Sequence, residues 1–373
     1  MTKSSHIKLF NPGPVEVRKE ILDAQTQWMI GHRGQAFEML FERIQQNLQQ
    51  VFFTQQRVYL STSSGTGLWE AAARNCVSDP STSSGQVPNG GVLATVCGDF
   101  SERWADVFER NGKTTTILAV ERGQAITPEL VKAALTQRST PYEAIAIVQN
   151  ETSTGVRNPL AEIVAVVKDL SPDTLILVDA VSSLAGDKIE FDALGLDVLL
   201  TSSQKCFGLP PGLAFAAVSD RALAKAKTIK NRGYYFDFVE LETFLKKNNT
   251  PSTPAISLMY ALDLQLQDML TEGLEARFAR HAQLAEMTAH WAEELGYSLF
   301  PAAGYASRTV TVIKNDRNTD IGALNKFLVG KGMSVADGYG TLKGKTFRIA
   351  HMADTTEADL RELFSAINEF LVA

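Results

Sequence analysis

Beyond residue 56 the chain alternates short apolar runs with longer amphipathic ones. RVYLST (57–62) precedes the helical pattern GLWEAAARNCV, GVLATV precedes FSERWADVFERNG, and TTTIL precedes a helix opening at TPELVKAAL. YEAIAIVQN precedes LAEIVAVVKDL, and TLILVDA, LDVLLTS and LAFAAVS follow. The short runs have strand length, and several are apolar at consecutive positions, so both faces of those strands are buried. Such strands alternating with helices predict an α/β domain: a mostly parallel sheet, seven-stranded by this count, with helices on both faces.

The polar stretch SDPSTSSGQVPNGG (78–91) reads as a surface loop, because the alternation resumes after it. Residues 231–254 read as irregular, mixing aromatics and charges with two prolines, and AISLMYALDLQLQDML then forms a long amphipathic helix. From about residue 275 the order changes to a helix, the strands RTVTVI and TFRIAHMA, and a terminal helix, which suits a smaller α+β domain. The N-terminal LFNPGPVEV is extended and proline-bound, and fits either part. No internal repeat of solenoid or propeller period is visible.

Composition narrows the function classes. A chain of 373 residues with 45% hydrophobic and 21% charged residues is ordinary for a globular protein, and two domains are expected at this length. A formal charge of -6 supplies no basic footprint, which argues against nucleic acid or an anionic membrane as partner. Three cysteines, Cys76, Cys97 and Cys206, are too few and too scattered for a disulfide framework or a zinc site, so no metal is expected. The start MTKSSHIKLF lacks a signal-peptide apolar stretch, FLVA is not a peroxisomal address, and no run has the length of a membrane span. A cytoplasmic location is the expectation.

Ligands of parallel α/β sheets sit beyond the carboxyl ends of the strands, and four polar groups fall at those ends. Ser64, Gly65, Thr66 and Gly67 lie between a strand and a helix, where free backbone N–H groups and hydroxyls make either a phosphate seat or only a turn. No GK[ST] follows, so this is not a Walker loop. Asp179 closes TLILVDA, where a carboxylate either serves a cation or caps the following VSSL. NETSTG ends another buried strand, and Thr152 and Ser153 there are candidate donors to a ligand oxygen. In TSSQKCFGLPPG, Lys205 stands where a buried strand meets a stiff Gly/Pro turn, a position charged side chains avoid without a partner.

Phosphate seat, carboxylate and lysine together describe pyridoxal phosphate chemistry. The lysine forms a Schiff base with the aldehyde, and the aspartate keeps the pyridine nitrogen protonated, so that the ring accepts electrons from the substrate α-carbon. The freed amine then carries a proton as base and acid.

With NPGP, SSGTG, NETSTG, VDAVSSL, TSSQKCFGLPPG and TFRIAHMA in place, the chain resembles the class V, fold-type I aminotransferases, in the alanine–glyoxylate and serine–pyruvate branch. The resemblance spans nearly the whole sequence and is most specific between Asp179 and Lys205. It implies the fold-type I architecture. On that basis residues 1–20 pack with the small domain, 21–272 form the large cofactor-binding α/β domain, and 273–373 form the small α+β domain. It also implies that Lys205 is the Schiff-base lysine and Asp179 the partner of the ring nitrogen. Val181 and Phe100 then cover the two ring faces, Thr152 touches the ring hydroxyl, and Ser64, Gly65, Thr66 and Gln204 hold the phosphate. Relatives often carry Trp or His at the position of Phe100, and some carry His at Thr66; phenylalanine still stacks. The family is typically a homodimer whose second chain completes the phosphate site, here through Thr250 and Thr253 of NNTPSTPAIS.

An aminotransferase grips the substrate α-carboxylate, and arginine does so with a two-pronged fork. Alternation in TFRIAHMA sets Arg348 on the face opposite Phe347 and Ile349, where it is either solvated or, by the resemblance, the carboxylate clamp. Gly13 permits close backbone approach to the same carboxylate. His32 and Arg33 of IGHRGQAF are a solvated pair, a contact across the dimer, or an anion site for the far end of the substrate, as in the similar HRG of phosphoserine aminotransferases. The C-terminal GYGTLKGKTFRIAHMA resembles the serine/alanine–glyoxylate branch instead, so the expected donor is L-serine or L-alanine, with glyoxylate or pyruvate as acceptor and phosphoserine with 2-oxoglutarate as the alternative. A cysteine desulfurase needs a cysteine in the C-terminal part, and none follows Cys206, which is expected to pack. Lyases resembling kynureninase or threonine aldolase share the lysine and the aspartate. A non-catalytic interaction protein has no reason to keep lysine, aspartate and phosphate loop in register.

Overall fold

The computed structural model describes residues 6–80 and 90–372. Its strands are, in chain order, β1 (Lys8–Phe10), β2 (Arg57–Ser61), β3 (Val92–Val96), β4 (Thr115–Ala119), β5 (Ala144–Val148), β6 (Asn150–Glu151), β7 (Val156–Arg157), β8 (Leu175–Asp179), β9 (Val198–Ser202), β10 (Ala214–Val218), β11 (Val310–Lys314), β12 (Met333–Asp337) and β13 (Thr346–Ala350). The polar stretch expected to loop out at 78–91 lies largely outside the described residues.

Seven strands form one sheet in the order β2-β10-β9-β8-β5-β3-β4. Only β10 runs against its neighbours, and β9, β8, β5, β3 and β4 are parallel. Strands β5, β8, β9 and β10 are buried at every residue, as their continuous apolar character requires. Alternation sorts their side chains between two cores. Ile176 and Val178 enter one, while Leu175 and Leu177 enter the other beside Trp69 and Trp104. Asp179 continues the second series, so it ends β8 on the tryptophan side.

A second sheet has the order β1-β12-β13-β11. The sequence pattern marked β11 and β13 as strands; β12 and the N-terminal β1 join them, β1 pairing in parallel with β12. The face of β13 bearing Phe347 and Ile349 packs into a core with Phe10, Trp291 and Phe364. Ala350, on the opposite face, joins the core of the large sheet. Arg348 shares Ala350's face and is therefore enclosed between sheets rather than solvated, at 7% exposure.

Residues 231–254 are not wholly irregular. Phe238–Leu245 is a helix, capped by the Asp237 carboxylate accepting from Val239 N at 2.8 Å. Phe238 is buried against Tyr59 of β2, with ring centroids 5.4 Å apart.

Arg277, on the helix Leu274–Glu294, joins the parts around the lysine turn. It is 1% exposed and donates to Ala185 O (3.0 Å), Cys206 O (2.9 Å), Glu272 Oε2 (2.8 Å) and Asp354 Oδ1 (3.0 Å). Burial alone would raise the Asp354 carboxyl, yet Arg277 and Arg18 hold it below the ordinary carboxylate range. Removing one member of such a buried pair leaves the other charge poorly compensated. Arg277→Met is therefore expected to cost about 2–4 kcal/mol in urea-induced unfolding, Arg18 retaining part of the pairing.

Candidate active site

Ten of the residues singled out in the sequence line one cavity of about 360 Å3 at the carboxyl ends of the large sheet: Gly13, Ser64, Gly65, Thr66, Phe100, Thr152, Asp179, Val181, Gln204 and Lys205. Trp69, Asn150, Ser182, Ser202, Pro211 and Tyr339 also line it, and the sequence reading did not single them out.

Lys205 projects from a closed turn after β9. Ser203 accepts Leu209 N at 3.1 Å and bonds Leu213 O through its own N–H at 2.9 Å, while Gly208 N bonds Lys205 O at 2.9 Å with Gly208 at φ +63°. The lysine is 9% exposed and its amine donates to the Pro12 carbonyl. Gly13, at φ +130°, lies against its stem, and a Cβ there would stand 2.6 Å from Lys205 Cε and 2.7 Å from Nζ. The close approach that glycine permits is thus to the lysine itself. Burial first, and then the neighbouring Arg348 cation, push the Lys205 amine down to about 8. About a tenth of it is then the neutral, nucleophilic form at pH 7, far more than for an ordinary lysine.

Asp179 does cap the following turn, its Oδ1 accepting from Val181 N at 2.7 Å. Its Oδ2 accepts from Trp69 Nε1 at 2.6 Å. Each carboxylate oxygen retains a further lone-pair site, so capping and service to a cation are compatible. Burial pushes its carboxyl up to about 6, against the two donors; Glu151 adds to the rise and Lys205 opposes it.

The phosphate-seat candidates open the helix Gly65–Cys76, whose N-cap Ser64 makes no side-chain cap bond. That leaves its first N–H groups unused by the Ser64 side chain. A Cβ on Gly65 would stand 2.7 Å from Val181 Cγ2, so a larger residue would displace the side chain flooring the cavity. Three buried polar atoms of the lining have no partner in the chain: Ser202 Oγ, Gln204 Oε1 and Asn150 Nδ2. Unpaired polar groups at such depth are costly; a phosphorylated, hydroxylated aromatic ring offers acceptors to the Ser202 hydroxyl and the Asn150 amide, and to Gln204 once its side-chain amide is flipped to present its N–H. The residues present therefore fit pyridoxal phosphate.

Phe100 is placed by a buried carboxylate that no pattern along the chain marks. Glu151 accepts from Phe100 N (3.3 Å), Ser101 N (2.9 Å) and Oγ (2.8 Å), and Ser153 N (3.1 Å) and Oγ (2.7 Å). This knot pins the helix Asp99–Arg110 at its start. It corrects the expectation for Ser153, whose hydroxyl is spent on Glu151 and on Asp99 N rather than on a ligand. Thr152 remains in the lining, its hydroxyl 2.5 Å from that of Ser182. The Phe100 ring lies 5.9 Å from Lys205 Nζ and stacks on Tyr339 at 5.1 Å.

Arg348 reaches this region from the small sheet, its Nε donating to Asp337 O at 3.0 Å and its guanidinium lying 5.5 Å from the Tyr339 ring centre. His32, Arg33, Thr250 and Thr253 are not brought to the cavity. Arg33 donates to Asn249 Oδ1 and to the carbonyls of Thr250 and Pro251 (3.2 Å for the last). Thr250 and Thr253 line a separate cleft beside Leu60–Thr62, and the buried Thr250 Oγ1 has no partner in the chain. Cys206 is fully buried, with its thiol pushed up to about 12 by burial, which suits packing and not reaction.

A family model described as aminotransferase class-V matches residues 14–363. An uncharacterized aminotransferase of Methanocaldococcus jannaschii is 37% identical, over 94% of this chain and 89% of the relative. A serine–glyoxylate aminotransferase of Arabidopsis thaliana is 30% identical, over 97% and 90%. The crystal structure of an alanine–glyoxylate aminotransferase from Nostoc sp. superposes with a TM-score of 0.90 at 29% identity, covering 98% of this chain and 95% of that one.

Capture of a small aromatic aldehyde by Lys205, trapped with borohydride and located by peptide mapping, is expected to rise with pH through a midpoint of about 8. Arg348→Gln removes a cation that depresses the amine, so the midpoint is expected to move up. An unshifted midpoint in that variant would show that Arg348 does not act on the lysine.

Proposed function

The chain belongs to the class-V aminotransferases, and we propose that within this family it moves the amino group of L-serine or L-alanine to glyoxylate or pyruvate in two half-reactions at one site. Its cofactor is pyridoxal 5'-phosphate, which when bound supplies the electron sink for bond-breaking at the substrate α-carbon. The observation that carries the proposal is the meeting of Lys205 and Asp179 with three unpartnered polar atoms in one cavity.

In this reading Ser64, Gly65, Thr66 and Gln204, together with Ser202, hold the phosphate. Val181 and Phe100 would cover the ring, Thr152 with Asn150 would meet its hydroxyl, and the Asp179 carboxylate would pair with its nitrogen. Lys205 would hold the cofactor, and its amine, already lowered to about 8, would be suited to take the substrate α-proton and return it on the other side of the transfer. Arg348 clamps the substrate carboxylate. The serine– and alanine–glyoxylate relatives support a donor with a small side chain. Arg33 is engaged by the 249–251 segment, which weighs against a distal phosphate on the donor.

The active enzyme in this proposal is a homodimer with its site shared between chains. Trp28 is 94% exposed, Met29 65% and Met39 58%, a strongly apolar group for an open surface. The nearby segment held by Arg33 carries Thr250 with an unpartnered hydroxyl, suited to a phosphate in the neighbouring chain. Among the described residues no helix is long and apolar enough to cross a membrane, and three unpaired, buried thiols fit a reducing, cytoplasmic setting.

Purified protein is expected to be yellow, to lose its visible band on adding L-serine or L-alanine, and to regain it with glyoxylate, whereas Lys205→Ala is colourless. Colourless wild type after reconstitution would sink the reading. In a panel of L-serine, L-alanine, phosphoserine and glutamate against glyoxylate, pyruvate, 2-oxoglutarate and phosphohydroxypyruvate, turnover with serine or alanine should lead. Faster turnover of phosphoserine with 2-oxoglutarate overturns the substrate assignment and leaves the chemistry standing. Sedimentation should give twice the chain mass, with Trp28→Glu dissociating the pair and weakening cofactor retention.

A further inference from the structure

One polar contact inside the cavity that the proposed chemistry leaves unused is the bond from Trp69 to Asp179. Trp69 projects from the helix Gly65–Cys76 and is 3% exposed, as is Asp179. Its indole stacks on Trp104 at 6.2 Å with planes 20° apart, and Trp104 comes from the helix Asp99–Arg110. The indole is thus held by two helices and cannot easily turn its N–H elsewhere. That N–H reaches Asp179 Oδ2 at 2.6 Å, short for a nitrogen donor and typical of a charge-assisted bond.

The surroundings of the carboxylate make this donor decisive. In the sheet register Asp179 stands between Val148 and Leu200, which are apolar and share its face. The charged groups acting on it are Lys205, opposite in sign, and Glu151, like in sign. The remaining support comes from Val181 N on Oδ1 and Trp69 Nε1 on Oδ2. Without the indole N–H, Oδ2 would keep no donor from the chain, and protonation would become easier.

We propose that Trp69 is a positioning residue for Asp179: its indole N–H holds the carboxylate ionised and turned so that its remaining lone pairs face into the cavity. This rests on the reading that Asp179 meets the ring nitrogen of the cofactor. A protonated Asp179 would present an O–H to that nitrogen in place of a negative charge, and the ring would lose its protonated form. Trp69 therefore acts on the reaction through Asp179, without contact with the reacting atoms.

The test compares wild type with Trp69→Phe, and with a protein carrying benzothienylalanine at position 69, which keeps the ring shape and replaces the N–H by sulfur. In cofactor-free protein labelled with 13C at aspartate carboxyls, the Asp179 resonance is assigned by its loss in Asp179→Asn and titrated by NMR. Wild-type Asp179 is expected to titrate near 6. Both replacements should raise that midpoint by about one to two pH units, a ten- to hundredfold change in its protonation equilibrium. Pyridoxal phosphate should then bind about tenfold more weakly at neutral pH, and kcat should fall while KM for glyoxylate changes little. An unchanged Asp179 midpoint in the sulfur analogue overturns the inference, even if Trp69→Phe unfolds. Wild-type cofactor affinity in Asp179→Asn would instead overturn the underlying assignment of Asp179 to the ring nitrogen, and the inference with it.

Discussion

An amine and a carboxylate share one cavity here and make no ion pair with each other. Lys205 is turned to the Pro12 carbonyl and Asp179 to Val181 and Trp69. Burial acts on both in the direction of neutrality, drawing the amine down and the carboxyl up. Had they met, the pair would have locked two charges together and left neither free for a ligand. Their separation is what the surrounding structure maintains, and each strand end contributes one side of it.

That separation has its own supports. The alternation of β8 places Asp179 on the tryptophan-lined side of the sheet. The buried Glu151 gathers five N–H and O–H donors from two segments and fixes the start of the helix that carries Phe100. Arg277 binds the backbone immediately after Lys205 and is itself neutralised by Glu272 and Asp354. Glu151 and Arg277 are buried charged groups with their bonds satisfied, which favours one arrangement of the site over near alternatives.

The legible parts of the sequence were those where local chemistry and tertiary position agree. Strands apolar on both faces announce themselves, and polar residues that end them are conspicuous, so Asp179, Lys205 and the Ser64–Thr66 turn could be picked out. β12 was not legible, because MSVAD is short and mixed and gains strand geometry from β1 and β13. The helix at Phe238–Leu245 hid in an aromatic-rich stretch, where Phe238 packs on Tyr59 of β2 while Tyr235 and Phe236 meet edge to face. Ser153 looked like a ligand donor because nothing nearby in sequence shows that Glu151 folds back upon it. Trp69 carries no sign of its partner, since 110 positions separate it from Asp179. Tryptophan at helical spacing reads as core, and it is core as well as donor.

The N-terminal segment makes a mechanical linkage of the two sheets. β1 is hydrogen-bonded into the same small sheet that carries Arg348 on β13. Within five residues of β1 the chain reaches the lysine turn, where Pro12 O receives the Lys205 amine and Val15 N bonds Gln204 O at 3.2 Å. A shift of the small sheet is therefore transmitted to the carbonyl that holds the amine. The arginine on β13 and the lysine turn are thus joined through one short stretch of chain, with Gly13 as the thin point where it passes the lysine stem.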